Sequence, residues 1–146
     1  MFEGKEKTDW WVDQFTLKEL QETLTVKQDQ APGRPTIFDF HFTFPTLNQV
    51  IQVVVDFNQQ HKGKRNPNGR LAGMLIESKN PEMYRQYFGL NQGKDILDLL
   101  RQNGLDNIKN ATAYCPIYLH SFDYETIKFW GTNTELPNDY LIEGNT

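Results

Sequence analysis

Cysteine is almost missing from this chain. The single residue, Cys115, stands between Tyr114 and Pro116, so no internal disulfide forms and the redox compartment is left open. A lone thiol at a strand start reads as packing and not as a nucleophile. Basic charge is also scarce. Lys and Arg number 15 against 19 Asp and Glu, a net charge of -4. That balance counts against nucleic acid as a partner, because phosphate backbones call for a basic footprint. The densest basic stretch, HKGKR (His61 to Arg65), is short and reads as a solvated turn. Long hydrophobic runs are missing too. The longest, VIQVVV (Val50 to Val55), is interrupted by Gln52, so no membrane span is expected. The opening MFEGKEKTDWW lacks the apolar core of an export signal. Neither an internal repeat nor a low-complexity tract is visible.

What the chain does have is aromatics. They make up 13% of residues within a hydrophobic fraction of 38%, so a core must lean on Phe, Tyr and Trp. The mean hydropathy of -0.66 is polar for a compact fold, yet 146 residues are enough to bury a core as one domain. Thr16 with Glu19 three residues on forms a capping box, and Leu17, Leu20 and Leu24 give the helix behind it an apolar stripe. QAPGRPT (Gln30 to Thr36) ends regular structure. FDFHFTF puts Phe at every second position from Phe38 to Phe44, a strand period that an extended loop would share. A second helix follows Thr46, with Leu47, Val50, Ile51, Val54 and Phe57 at helical spacing.

After the loop HKGKRNPNG, the run from Leu71 to Ser78 predicts a strand. GKDILDLLRQNGL predicts a helix stopped by Gly104, and Pro116 to Asp123 predicts a second strand. Asp123 is placed to cap the helix YETIKFW, and LPNDYLIEG starts one more strand. Strands alternating with helices predict an α/β fold with a parallel sheet covered on both faces. In such sheets chemistry gathers at the carboxyl ends of the strands. Two strand ends here are polar, ESK and HSFD.

Within LAGMLIESKNP (Leu71 to Pro81) the alternation of side chains puts Gly73, Leu75, Glu77 and Lys79 on one face and Met74, Ile76 and Ser78 on the other. A carboxylate in a covered sheet must be paired or bound to a cation. Two readings follow: a Glu77–Lys79 pair at the sheet edge with no further role, or a site. In the second, Glu77 is an oxygen ligand for Ca²⁺ or Mg²⁺ and Lys79 a cationic contact for an anion such as a phosphate.

LAGMLIESKNP resembles the Y-P-E-I-K-x-P strand of the glycerophosphodiester phosphodiesterases. Three further stretches match that family in order. WWVDQFTLKELQETLTVKQ resembles its D-F-T-L-x-E-L passage, FTFPTLNQVIQVVVDFN its I-P-T-L-E-E-V-I segment, and PIYLHSFDYETIKFW its Q-S-F-D-x-E-T-L-K turn. Together they cover most of Trp10 to Trp130, nearest to the longer, exported type. The resemblance implies a TIM (β/α)8 barrel that hydrolyses glycerophosphodiesters to glycerol 3-phosphate and an alcohol with a divalent metal. It implies that Glu77 is a metal ligand and that Lys79 lies beside the substrate phosphate. Ser78 replaces the usual isoleucine on the face turned away from the site, where only a packing change is expected. His120 stands at the family's Gln and implies a substrate contact. His41 and His61 sit in loop-like contexts and carry no assigned role.

The chain departs from the family by what it omits. The family's H-R pair and its Glu-x-Asp metal pair occur nowhere in the sequence. With them goes the pair of histidines that serve as general acid and base. A whole barrel takes about 250 residues. The expectation is therefore a partial barrel, incomplete at both ends, with residues 1–146 forming the middle of one domain. Such a piece should bind metal weakly or not at all, be inactive alone, and self-associate through unpaired strand edges. A non-catalytic remnant serving as a binding or assembly module is the alternative.

Overall fold

The computed structural model describes residues 8, 10–27, 33–61 and 69–142. The basic loop of residues 62–68, the start of QAPGRPT and the last four residues lie outside them. The chain divides into two units, Met1–Leu47 and Asn48–Thr146.

In the first unit a 3-10 turn (Val12–Gln14) precedes α1 (Leu17–Glu22). The expected capping box is made: Glu19 N donates to Thr16 Oγ1 at 3.2 Å, and Thr16 N donates to Glu19 Oε2 at 2.8 Å. The phenylalanine run is not a strand. Asp39 N bonds the Thr36 carbonyl and His41 N the Phe38 carbonyl, both turn contacts, and Phe40 adopts a left-handed φ of 63°. That conformation is rare for a bulky residue and breaks the alternation of a strand, which leaves the loop, the other reading of this spacing. Phe38, Phe40, Phe42 and Phe44 are all exposed, and no described residue of this unit is buried.

The second unit takes up α2 (Leu47–His61) from Asn48 onward and carries the sheet: β1 (Met74–Ser78), β2 (Ile117–Ser121) and β3 (Asn138–Tyr140). The strands are parallel and lie in the order β1-β2-β3. Three helices link β1 to β2, namely α3 (Pro81–Phe88), α4 (Gln92–Gln102) and α5 (Ile108–Tyr114), where the sequence pattern predicts one. A single helix, α6 (Tyr124–Asn133), links β2 to β3. The α/β class and the parallel sheet are as expected, but cover on both faces is not: Leu75 and Tyr118, paired on the face opposite the core, are exposed. Gly104 stands just past α4 at a φ of 66°, a left-handed position that glycine adopts without penalty. Asp123 caps α6, accepting from Thr126 N at 2.7 Å.

The core lies under one face of the sheet. Ile76, Ile117 and Leu119 point into it beside Leu97, Leu100, Leu105, Trp130 and Leu136, all buried. Trp130 donates its indole N–H to the Gly93 carbonyl at 2.8 Å, so its one polar group is satisfied. A methyl group on Gly93 would stand 3.0 Å from Thr126 Cγ2, a measure of how closely α4 and α6 pack. Asn58, on α2, is buried four residues past Val54 and seven past Ile51, a polar residue on the helix's apolar stripe. Its Nδ2 donates to the carbonyls of Ala72 and Tyr114, and its Oδ1 accepts from Ala72 N, all at 2.8 Å. One side chain thus stands in for a strand neighbour, fixing the start of β1 to the end of α5. His61 closes α2, its Nδ1 2.9 Å from the Phe57 carbonyl, and so belongs to a helix and not to a loop. No described helix is long and apolar enough to cross a membrane.

Candidate functional site

The carboxyl end of the sheet is set by two serines. Ser78 is buried on the helix-covered face, and its hydroxyl donates to Gln92 Oε1 on α4 at 3.0 Å. Ser121 donates to the Ser78 carbonyl at 2.8 Å and accepts from Asp123 N at 3.1 Å. Ser78 faces away from the site as expected, but it ties strand to helix by a hydrogen bond and does more than alter packing. Beyond it Asn80 turns left-handed, with a φ of 51°, and Pro81 opens α3. Proline disfavours the right-handed helical region for the residue before it, and asparagine tolerates the left-handed one, so the dipeptide ends the strand abruptly.

With Ser78 and Ser121 turned inward, alternation throws their predecessors onto the opposite face. Glu77 is in register with His120, and His120 with Asp139 of β3. The three form one row across the strand ends. Neighbouring strands lie about 4.8 Å apart, so the outer two backbones are separated by about 9–10 Å.

All three residues singled out from sequence come together here. Lys79 Nζ lies 3.4 Å from Glu77 Oε1, and His120 Nε2 lies 4.0 Å from Glu77 Oε2. The side chains are 75% exposed for Lys79, 23% for Glu77 and 16% for His120, so the ammonium reaches solvent while the carboxylate and imidazole are partly shielded. The 4.0 Å separation is too long for a hydrogen bond. Glu77, Lys79, Asn80, Tyr84, Gln92 and Asp95 line an open cleft of about 410 Å³ at this rim.

Asp139 is the member the sequence reading lacks. Its Oδ1 is shielded from solvent and has no hydrogen-bond partner among the described residues. A second omission is Arg85 of α3, whose Nη1 and Nη2 clasp Asp123 at 3.0 and 2.8 Å. Burial pushes the Asp123 carboxyl up, but Arg85 and the Thr126 hydrogen bonds outweigh it and hold the group below its usual range. The clasp fixes α3 against the start of α6, just past the row. Cys115 is buried, and desolvation pushes its thiol above the ordinary value, so it is a packing residue.

For a divalent cation the fit is poor. Calcium takes six to eight oxygens, and magnesium needs an octahedral set. Among the described residues no group of three or more His, Cys, Asp or Glu side chains lies close enough to hold an ion. Glu77 offers one carboxylate, already 3.4 Å from the Lys79 ammonium. The arrangement is suited instead to a polar ligand, with a cation for an anionic group and acceptors for donors. No protein-family model, curated protein or solved structure matches the chain.

Proposed function

We propose that residues 48–142 supply one wall of a phosphodiester site in a (β/α)8-type barrel of the glycerophosphodiester phosphodiesterase kind. The intact enzyme hydrolyses its substrate to glycerol 3-phosphate and an alcohol in a metal-dependent reaction. The observation that carries this reading is the meeting of Glu77, Lys79 and His120 at the carboxyl ends of two adjacent parallel strands. That is where barrel enzymes place their chemistry. The sequential order β1-β2-β3, with helices between, supports an arc of such a barrel. β1 and β3 each pair on one side only among the described residues, and edges of that kind invite self-association.

In this wall Lys79 neutralises the phosphate, Glu77 holds the ammonium in place, and His120 presents a ring nitrogen to a phosphoryl oxygen or a substrate hydroxyl. The general acid–base pair and a metal's donor set are not among these residues, so no bond-breaking step is assigned to them. A non-catalytic binding module is the second reading, favoured by the omission of H-R and Glu-x-Asp from the whole sequence.

Calorimetric titration with glycerol 3-phosphate tests the wall. Binding is expected to weaken about tenfold in Lys79→Ala, the cost of one hydrogen bond to a charged group. Affinity unchanged in that variant would remove the phosphate assignment. No release of glycerol 3-phosphate from glycerophosphocholine is expected from the chain with calcium present. Turnover that disappears in Glu77→Gln would show the acid–base machinery to be present after all.

A further inference from the structure

β1 keeps one bare edge. Met74 N donates to the Pro116 carbonyl at the start of β2. Backbone groups alternate sides along a strand, so Met74, Ile76 and Ser78 turn theirs to β2, while Leu75 and Glu77 turn theirs away from it. No described residue hydrogen-bonds the backbone of Leu75 or Glu77. Natural sheets guard such an edge by shortness, proline, lysine or a bulge. The opposite edge is guarded in this way, since β3 has three residues and follows Pro137. β1 is five residues long and carries no proline, lysine or bulge from Met74 to Ser78. Its one charge, Glu77, is balanced by Lys79 at 3.4 Å, and Leu75 beside it is 64% exposed.

We propose that β1 pairs antiparallel with β1 of a second copy about a two-fold axis at Ile76, joining two three-stranded sheets into one. The strand is its own complement, as a two-fold contact requires. With the axis at Ile76, Leu75 stands opposite Glu77 of the second copy, and Glu77 opposite Leu75. Each of these two pairs exchanges both of its backbone hydrogen bonds, so the groups left bare in one copy are satisfied by those of the other. Met74 stands opposite Ser78, so the whole strand is used. Charge favours this register. Moving the axis to Glu77 would set the two Glu77 carboxylates directly opposite each other, which is destabilising. The proposal stands apart from the phosphate reading, in which a barrel's own neighbouring strand would lie parallel to β1.

Sedimentation equilibrium of the full chain is expected to give twice its 17.1 kDa mass, falling to the single mass on dilution. Hydrogen exchange read by NMR should be slow at the Leu75 and Glu77 amides in the dimer and fast in the dilute monomer. The amides of Met74, Ile76 and Ser78, bonded to β2, should stay protected in both. Leu75→Pro removes an N–H that faces away from β2 and so spares the ladder between β1 and β2. It takes away two of the bonds between the copies, and association should weaken about thirtyfold. A chain that is monomeric at every concentration would overturn the proposal. So would a dimer whose Leu75 and Glu77 amides exchange freely, since its contact would lie elsewhere. Protection of those two amides in the monomer would overturn it as well, by showing the edge covered within one chain. A folded Leu75→Pro variant that associates as tightly as the parent would do the same. If that variant does not fold, exchange in the unaltered chain decides alone.

Discussion

Asn58→Ala is the sharpest test of how β1 is positioned. The side chain is buried and makes three hydrogen bonds of 2.8 Å, two to Ala72 and one to the Tyr114 carbonyl. A typical intramolecular hydrogen bond contributes about 1 kcal/mol net, while a buried group left unpaired costs about 1–3 kcal/mol. Alanine removes three bonds and strands one N–H and two carbonyls, but Ala72 is only half-buried, so water recovers part of the loss. The expected destabilisation is about 2–4 kcal/mol. For a folding unit of this size that lowers Tm by roughly 10–25 °C. Urea unfolding followed by circular dichroism gives the value directly, with an unchanged slope showing that the two ends of the transition are the same. Asn58→Asp should be at least as damaging, since it keeps the acceptor for Ala72 N but sets a carboxylate against two carbonyls. A loss below about 0.5 kcal/mol for Asn58→Ala, the range of neutral surface changes, would refute the role of Asn58 as a strand surrogate.

Two further outcomes are expected. In Gly73→Ala the new methyl would lie 2.8 Å from the Pro116 carbonyl oxygen, a backbone atom, so the β1–β2 pairing must shift. A destabilisation of about 1–3 kcal/mol is expected, and a melting curve that matches the parent would show the strands part freely there. The Asp123 carboxyl has a folded-state value below its unfolded one, so its contribution is complete above the unfolded value of 3.8 and is lost as pH falls through the folded one. Asp123→Asn should therefore flatten the acid limb of a stability–pH curve below about pH 4, and an acid limb of unchanged slope would assign the loss to other groups.

Much of the candidate site was legible because it depends on strand period. Glu77 and Lys79 follow an apolar run and share a face by alternation, and HSFD ends the neighbouring strand in the same polar manner. Register then makes neighbours of Glu77 and His120. Asp139 was not legible in this way. It lies in a three-residue strand, too short for a period, and its meaning comes from the pairing of β3 with β2. Asn58 shares the apolar stripe of Ile51 and Val54 by spacing, but its partners Ala72 and Tyr114 lie 14 and 56 residues away, which no local pattern shows. The helices α3 and α5 escaped notice for local reasons. PEMYRQYF is only eight residues long, too short to sustain a helical period, and IKNATAY is rich in residues of modest helix propensity. The phenylalanine run left strand and loop open, because a turn at Phe40 keeps the spacing of a strand without its geometry.

Trp130 makes the two units separately visible to light. It is fully enclosed, with its indole N–H held by Gly93, whereas Trp10 in the other unit is 83% exposed. The chain's remaining tryptophan, Trp11, also belongs to the first unit. An enclosed indole emits to the blue and escapes acrylamide, while an exposed one emits to the red and is quenched. The blue edge of one fluorescence spectrum therefore follows the unit that carries the sheet, and the quenchable red edge follows the unit that displays the phenylalanines.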